Sequence, residues 1–338
     1  MKKNLLYIGN QLSQKGKTVT TIDTLSTLFR LEGYHVVTAS KKRNKILRLL
    51  DMLWCILKHR KQTDYVLIDT YSTFNFYFAY LCSQLCRILK LKYVPILHGG
   101  NLPNRLKKNP KLSKDIFNKA HKNIGPSLYI MASFKGFGYD NVVYIPNTIE
   151  LKNYPFQKRT FDNIHLLWVR SFSKIYNTNL AIEILSLLNE KNTDATLCMV
   201  GPENDGSLQK AKKYAKELNV EVNFTGKLSK QAWVTRSQDY NIFINTTNFD
   251  NMPVSIIEAM ALGLPVVSTH VGGMPFLIEN GEEGILVAPN QADLFVKAIK
   301  QLQANPDETY RMIANARKKV EMFDWEIVKK QWFGILSG

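Results

Sequence analysis

The amino-acid sequence predicts an α/β protein made of two doubly wound parallel-sheet units in tandem. Three observations carry that prediction. Short apolar runs alternate with amphipathic segments along most of the chain, the pattern of strands joined by crossover helices. The runs are nearly continuous in apolar residues, as in YVLIDTY and IHLLWV, which suits strands covered on both faces. The pattern halts at a polar stretch, 151-LKNYPFQKRTFDN-163, and then restarts, dividing the 338 residues into two ordinary domain lengths. The expected domains are 1–158 and 159–310, with a helical tail at 311–338 packing back toward the first.

In order, NLLYIGN is a strand ending at Gly9, followed by a polar loop and the amphipathic segment 18-TVTTIDTLSTLFRLEGY-34. HVVTAS is a strand, 44-NKILRLLDMLWCILKH-59 a helix, YVLIDTY a strand and NFYFAYLCSQLCRILKL a helix. YVPILHGG is a strand stopped by two glycines, and NVVYIPNTI closes the first half. The second half runs NIHLLWVRSF, NTNLAIEILSLLNEKN, ATLCMVGP and DGSLQKAKKYAKELNV as strand, helix, strand, helix. VNFTGKLS, DYNIFINTT, GLPVVSTHV and GILVAPN follow as further strands, making this a second Rossmann-like unit. The tail 306–336 is helical, with a break at Phe323-Asp324-Trp325.

Composition excludes several classes. No apolar run reaches the roughly 18–20 residues of a membrane span, and LLYI is too short for the core of a secretory leader. The expected location is cytoplasmic. Cys55, Cys82, Cys86 and Cys198 form no C-x-x-C pair, so neither a disulfide framework nor a zinc site is expected. The formal net charge is +17, of which residues 1–160 carry +19 and the remainder −2, so the two halves meet different partners.

In open α/β sheets the working residues sit in the loops after strands. Those loops in the second half hold Arg170 and Lys174 (VRSFSK), Gly201-Pro202, Gly226-Lys227, and then Asp250 with Glu258 eight positions beyond it. Arg offers a planar fork and Lys a point charge to a diphosphate. A helix starting near Val254-Ser255 adds backbone N–H groups and a positive dipole end. A carboxylate accepts from vicinal hydroxyls such as a ribose pair. The set suits a ligand with sugars at its ends and phosphates in the middle.

The segment 250-DNMPVSIIEAMALGLPVV-267 resembles the E-x7-E region of retaining GT-B glycosyltransferases of the family-4 type, with Asp250 where Glu is commoner. The resemblance extends to VRSFSK, to 145-IPNTIE-150, to His98-Gly-Gly and to the Gly9 loop. It implies two domains facing across a cleft, the second holding the donor. It also implies roles: Arg170 and Lys174 on the donor diphosphate, Glu258 on the ribose, and Asp250 on hydroxyls of the transferred sugar. The backbone at Met252, Val254 and Ser255 would face the phosphates, His98 the donor sugar, and the Gly9 loop donor or acceptor. Gly226 and Lys227 join the donor site. The donor is expected to be a UDP- or GDP-sugar and the acceptor a glycan or lipid-linked glycan in surface polysaccharide assembly. No metal is expected, and no Asp-x-Asp is present. No carboxylate is evidently placed as a nucleophile, so the implied route to retention is front-face attack. Pro253 removes one backbone donor, and Gly9 to Gly16-Lys17 is too long for a phosphate-cradling P-loop.

Blander readings stand beside these: a solvated Arg170/Lys174 pair, a core His98, a turn-forming Asp250. The aromatics of 74-FNFYFAYL-81 read as packing and Cys82/Cys86 as buried filler. Two basic stretches, 41-KKRNKILRLLDMLWCILKHRK-61 and 105-RLKKNPKLSKDIFNKAHK-122, suggest an anionic membrane surface at the inner leaflet. No nucleic-acid motif accompanies them. Two other functions fit the same pattern: a nucleotide-sugar 2-epimerase or hydrolase, and a non-catalytic basic membrane- or polyanion-binding protein.

Overall fold

A computed structural model describes residues 2–12, 19–191 and 193–337. The chain divides into two compact units, residues 1–146 with 328–338, and residues 147–327.

The first unit carries a six-stranded parallel sheet: β1 (Asn4–Ile8), β2 (His35–Ala39), β3 (Tyr65–Thr70), β4 (Lys92–Leu97), β5 (Asn123–Gly125) and β6 (Val142–Tyr144), in the order β2-β1-β3-β4-β5-β6. Helices α1 (Thr21–Leu31), α2 (Lys45–His59), α3 (Asn75–Ile88), α4 (Leu102–Lys108), α5 (Pro110–Phe117) and α6 (Leu128–Gly136) connect them. Every residue of β3 is buried, which is why its first four residues read as an unbroken apolar run. Asn44 starts α2 by accepting from the N–H groups of Ile46 and Leu47, and Ser127 does the same for Ile130 at α6.

The second sheet is also six-stranded and parallel: β7 (Ile164–Val169), β8 (Ala195–Val200), β9 (Asn223–Gly226), β10 (Ile242–Asn245), β11 (Val266–Thr269) and β12 (Ile285–Val287), ordered β12-β11-β10-β7-β8-β9. Its helices are α7 (Thr178–Glu190), α8 (Ser207–Glu217), α9 (Lys230–Arg236), α10 (Val254–Ala261), α11 (Met274–Leu277), α12 (Ala292–Ala304) and α13 (Pro306–Glu321). Trp168 fills the centre of this core and donates its indole N–H to Thr246 Oγ1 at 3.0 Å. The last helix, α14 (Trp325–Leu336), follows the expected break. Its Trp332 packs edge-on against Phe29 of the first unit, and Lys329 pairs with Glu32 at 2.9 Å.

The stretch expected as a linker, with a boundary at 158/159, falls inside the second unit. Arg159 is the reason. It is buried, and its guanidinium donates to the carbonyls of Tyr240 (2.8 Å), Leu262 (2.6 Å) and Gln157 (2.9 Å). A charge this deep is tolerated only when its donors are used. Burial lowers its pKa to about 10. Replacing Arg159→Met leaves those carbonyls unpaired and should cost at least about 2 kcal/mol, read as a lower urea midpoint.

Candidate functional site

In the second sheet the topological switch point lies between β7 and β10, where successive crossovers leave toward opposite faces and open a crevice at the strands' carboxyl ends. Arg170 is the first residue past β7 and Asp250 lies in the loop past β10. The two form an ion pair, Arg170 Nη2 to Asp250 Oδ2, with both side chains largely buried. The guanidinium also stacks 4.1 Å from the Tyr176 ring centroid, and its charge lowers the Tyr176 pKa despite the burial that opposes it.

Lys174 opens a single 3-10 turn, Lys174–Tyr176. Asp205 fixes the backbone there, accepting from Ser173 Oγ (2.9 Å) and Lys174 N–H (3.1 Å), while the Lys174 residue stays exposed. Hydrogen bonds, first from Ser207 and then from Lys174 N–H, hold the Asp205 carboxyl down at about 2.

Helix α10 begins at Val254 with Pro253 in extended conformation at its cap. The first-turn N–H groups of Val254 and Ser255 precede the helical hydrogen-bond ladder and point out of the helix end. Met252 is buried, its carbonyl accepting from Asn147 Nδ2 at 2.8 Å. Ser255 Oγ is buried without a hydrogen-bond partner among the described residues. One turn on, Glu258 is 3% exposed. Its Oε1 accepts from the Tyr154 hydroxyl at 2.7 Å and pairs with Lys230 Nζ. Burial and the adjacent carboxylate push the Tyr154 phenol well up.

Gly226 closes β9 at φ +70°, a conformation only glycine adopts freely, and Lys227 beside it is exposed. Lys230, three residues further, carries this loop to Glu258. Three other glycines let backbones touch. A Cβ on Gly201 would collide with the Arg170 carbonyl, and Cβ atoms on Gly272 and Gly273 would collide with the carbonyls of Asp250 and Asn251. Gly273 N–H donates to Asp250 O at 3.0 Å.

His98 and Gly9 belong to the first unit, where they form a cluster of their own past β4 and β1. Asp69, 6% exposed at the end of β3, accepts at Oδ1 from the Tyr7 hydroxyl (2.9 Å) and from His98 Nε2 (2.8 Å). Burial, then the Asp69 charge, raises the Tyr7 phenol well above its ordinary value. Gly9 lies against Asp69 so closely that a Cβ would meet Asp69 Oδ2. Residues 13–18 of the Gly9 loop lie outside the described residues.

The family model for glycosyl transferases group 1 matches residues 153–319, which contain Arg170, Lys174, Asp250 and Glu258. The second unit belongs to the glycosyl transferases group 1 family. The chain is 28% identical over 205 residues to an uncharacterized glycosyltransferase of Haemophilus influenzae, covering 59% of this chain and 56% of that one. A 70-residue match to a D-inositol 3-phosphate glycosyltransferase of Rhodococcus jostii is 36% identical, covering 21% of this chain and 16% of that one. The chain thus spans little more than half the length of the Haemophilus relative. Among solved structures, the sucrose-phosphate synthase of Thermosynechococcus elongatus superposes with a TM-score of 0.83 at 16% identity, over 99% of this chain and 98% of that one. HepE of Anabaena, solved with UDP and glucose, gives 0.80 at 17% identity, over 99% and 100%. Two Rossmann-like units in tandem, each with its own doubly wound sheet, are the GT-B architecture.

The group 1 domain contains site neighbours that sequence reasoning did not single out: Tyr154, Tyr176, Lys230 and the Gly272-Gly273 pair; in the first unit, Asp69 and Tyr7 join them. Only the glycine pair had a local signal, as a Gly-Gly directly after a strand and a short loop. Gly273→Ala should lower the thermal midpoint by displacing the Asn251 carbonyl. Gly334→Ala, in α14 with open space around it, should instead add up to about 1 kcal/mol, both read from thermal midpoints. Tyr154→Phe removes the hydrogen bond to the buried Glu258 carboxylate and should cost about 1.5 kcal/mol, read as a lower urea midpoint.

Proposed function

We propose that the chain is a retaining, metal-independent glycosyltransferase that moves a sugar from a nucleotide diphosphate-sugar to a glycan or lipid-linked glycan in surface polysaccharide assembly. The observation that carries this reading is the arrangement at the β7/β10 switch point: Arg170, Asp250 and the buried Glu258 set around the start of α10. The donor diphosphate lies at the α10 N-terminus and takes over the Arg170 guanidinium, with Lys174 as second cation. Asp250, released from that pair, accepts from hydroxyls of the transferred sugar. Glu258, held by Tyr154, accepts from the ribose. Gly226 and Lys227 border the nucleoside end. In the first unit, Asp69 orients His98 and Gly9 lets Asp69 pack close, and both residues keep there the roles that the resemblance implies for them.

The acceptor hydroxyl attacks the anomeric carbon on the face from which the nucleotide departs. The new C–O bond forms as the bond to the β-phosphate oxygen breaks, and the hydroxyl proton passes to that phosphate. Arg170, Lys174 and the helix end stabilise the negative charge that develops there, the task a divalent metal performs elsewhere. Anabaena HepE has been solved with UDP-glucose, which makes UDP-sugars the first donors to try.

The test is a thermal-shift panel of UDP, GDP, ADP and their sugar conjugates in EDTA, on wild type and Arg170→Ala, followed by transfer assays. A nucleotide at 100 times its dissociation constant adds about 2.7 kcal/mol of stability. The expected result is a shift with one nucleotide, lost in Arg170→Ala, and sugar transfer in EDTA only when acceptor is present. Donor converted to an epimer or free sugar without acceptor would overturn the transferase reading in favour of an epimerase or hydrolase.

A further inference from the structure

The two basic stretches of the first unit differ in what their apolar residues do. Over 105–122, Leu106, Ile116 and Phe117 are buried, so that stretch presents charge without an apolar face. Over α2 the reverse holds. Met52 and Ile56 face the core, while Ile46 (70% exposed), Leu47 (55%), Leu50 (56%) and Trp54 (64%) stand in water. Ile46, Leu50 and Trp54 recur every four residues and so share one stripe. The neighbouring helix extends it. Phe74, Tyr77 and Leu81 at the start of α3 are also exposed, and an apolar groove of about 440 Å³ runs between the helices, lined by Ile46, Leu49, Leu50, Phe74 and Phe78.

Monomeric proteins rarely leave so many large apolar side chains together in water. The surrounding charge identifies the occupant. Lys42 and Lys45 at one end of α2 and Lys58, Arg60 and Lys61 at the other are exposed. The single acid between residues 41 and 61, Asp51, is turned inward onto Ser40 Oγ. Lys45 already lies 5.4 Å from the Phe74 ring centroid, its stem along the apolar face. A second copy of the chain would bring the same cations against one another. An anionic lipid surface satisfies both features, taking the apolar stripe below the headgroups and the cations at them.

We propose that the exposed α2 face, with the start of α3, is a docking surface for an anionic bilayer. Its purpose, presenting a lipid-linked acceptor, rests on the proposed function, but the lipid contact does not. Trp54 gives a direct test. The other four tryptophans, Trp168, Trp233, Trp325 and Trp332, are buried, so quenching by lipid reports Trp54 alone. The full chain is mixed at low salt with vesicles of phosphatidylcholine, or of phosphatidylcholine and phosphatidylglycerol, the lipids brominated or not.

The expected result is flotation with the anionic vesicles only, fluorescence quenched by brominated anionic lipid, and partitioning about tenfold lower in Leu50→Glu/Trp54→Glu. That variant should keep the wild-type thermal midpoint and the same nucleotide-induced shift. No flotation, or flotation without quenching, would overturn the proposal. So would concentration-dependent self-association that Leu50→Glu/Trp54→Glu abolishes, since that would make the face an interface between copies. Failure of nucleotide to shift the midpoint would count against the transfer reaction and leave the lipid result standing.

Discussion

A parallel sheet that reverses its winding must open at one place, and in each unit several of the candidate residues hang from that opening. In the second sheet β7 and β10 are neighbours in space although β8 and β9 separate them in sequence. The chain leaves β7 toward one side and β10 toward the other, so no connection crosses their carboxyl ends. Arg170 and Asp250 stand on those ends, and the start of α10 follows directly. The first sheet repeats the geometry between β1 and β3, where Gly9 and Asp69 meet. One rule of chain connectivity thus collects residues that lie 80 or so positions apart in the second unit.

The charges gathered there are balanced by the protein itself. Burying an unpaired ion is expensive, and its partners must supply both charge and hydrogen bonds. Asp250 has Arg170, Glu258 has Tyr154 and Lys230, and Asp69 has Tyr7 and His98. A ligand entering the group 1 domain therefore exchanges one set of partners for another. The glycines serve the same end by a different route. Gly201, Gly272 and Gly273 let one loop's backbone rest on another's carbonyl, which sets the loops after β7 and β10 without side chains between them.

Buried thiols complete the contrast between chemistry and packing. Cys82 and Cys86 lie within α3 facing the core, and burial holds the Cys86 thiol up at about 12. They fill space, as their spacing on one helical face suggested. No helix among the described residues is long and apolar enough to cross a membrane.

Much of this was determined by local sequence. Every strand of the second sheet was legible, most of them because they are apolar runs bounded by turn chemistry, β9 because it stands between a helix pattern and a Gly. The start of α10, the break before α14 and the Arg170, Asp250 and Glu258 positions followed from spacing. Strand β5 was not legible, since three residues, Asn-Ile-Gly, show no periodicity. The attachment of 151–163 to the second unit was not legible either. A polar stretch reads as linker unless one knows that Arg159 finds four carbonyls inside the protein. Tertiary structure alone decided the pairings Tyr154 with Glu258, Lys230 with Glu258 and His98 with Asp69, and which of two basic stretches exposes apolar side chains. The physical reason is common to all of these. Periodicity and turn chemistry act over a few residues and are written in sequence order, whereas a buried charge or an uncovered stripe is defined by whatever distant segment the fold does, or does not, bring against it.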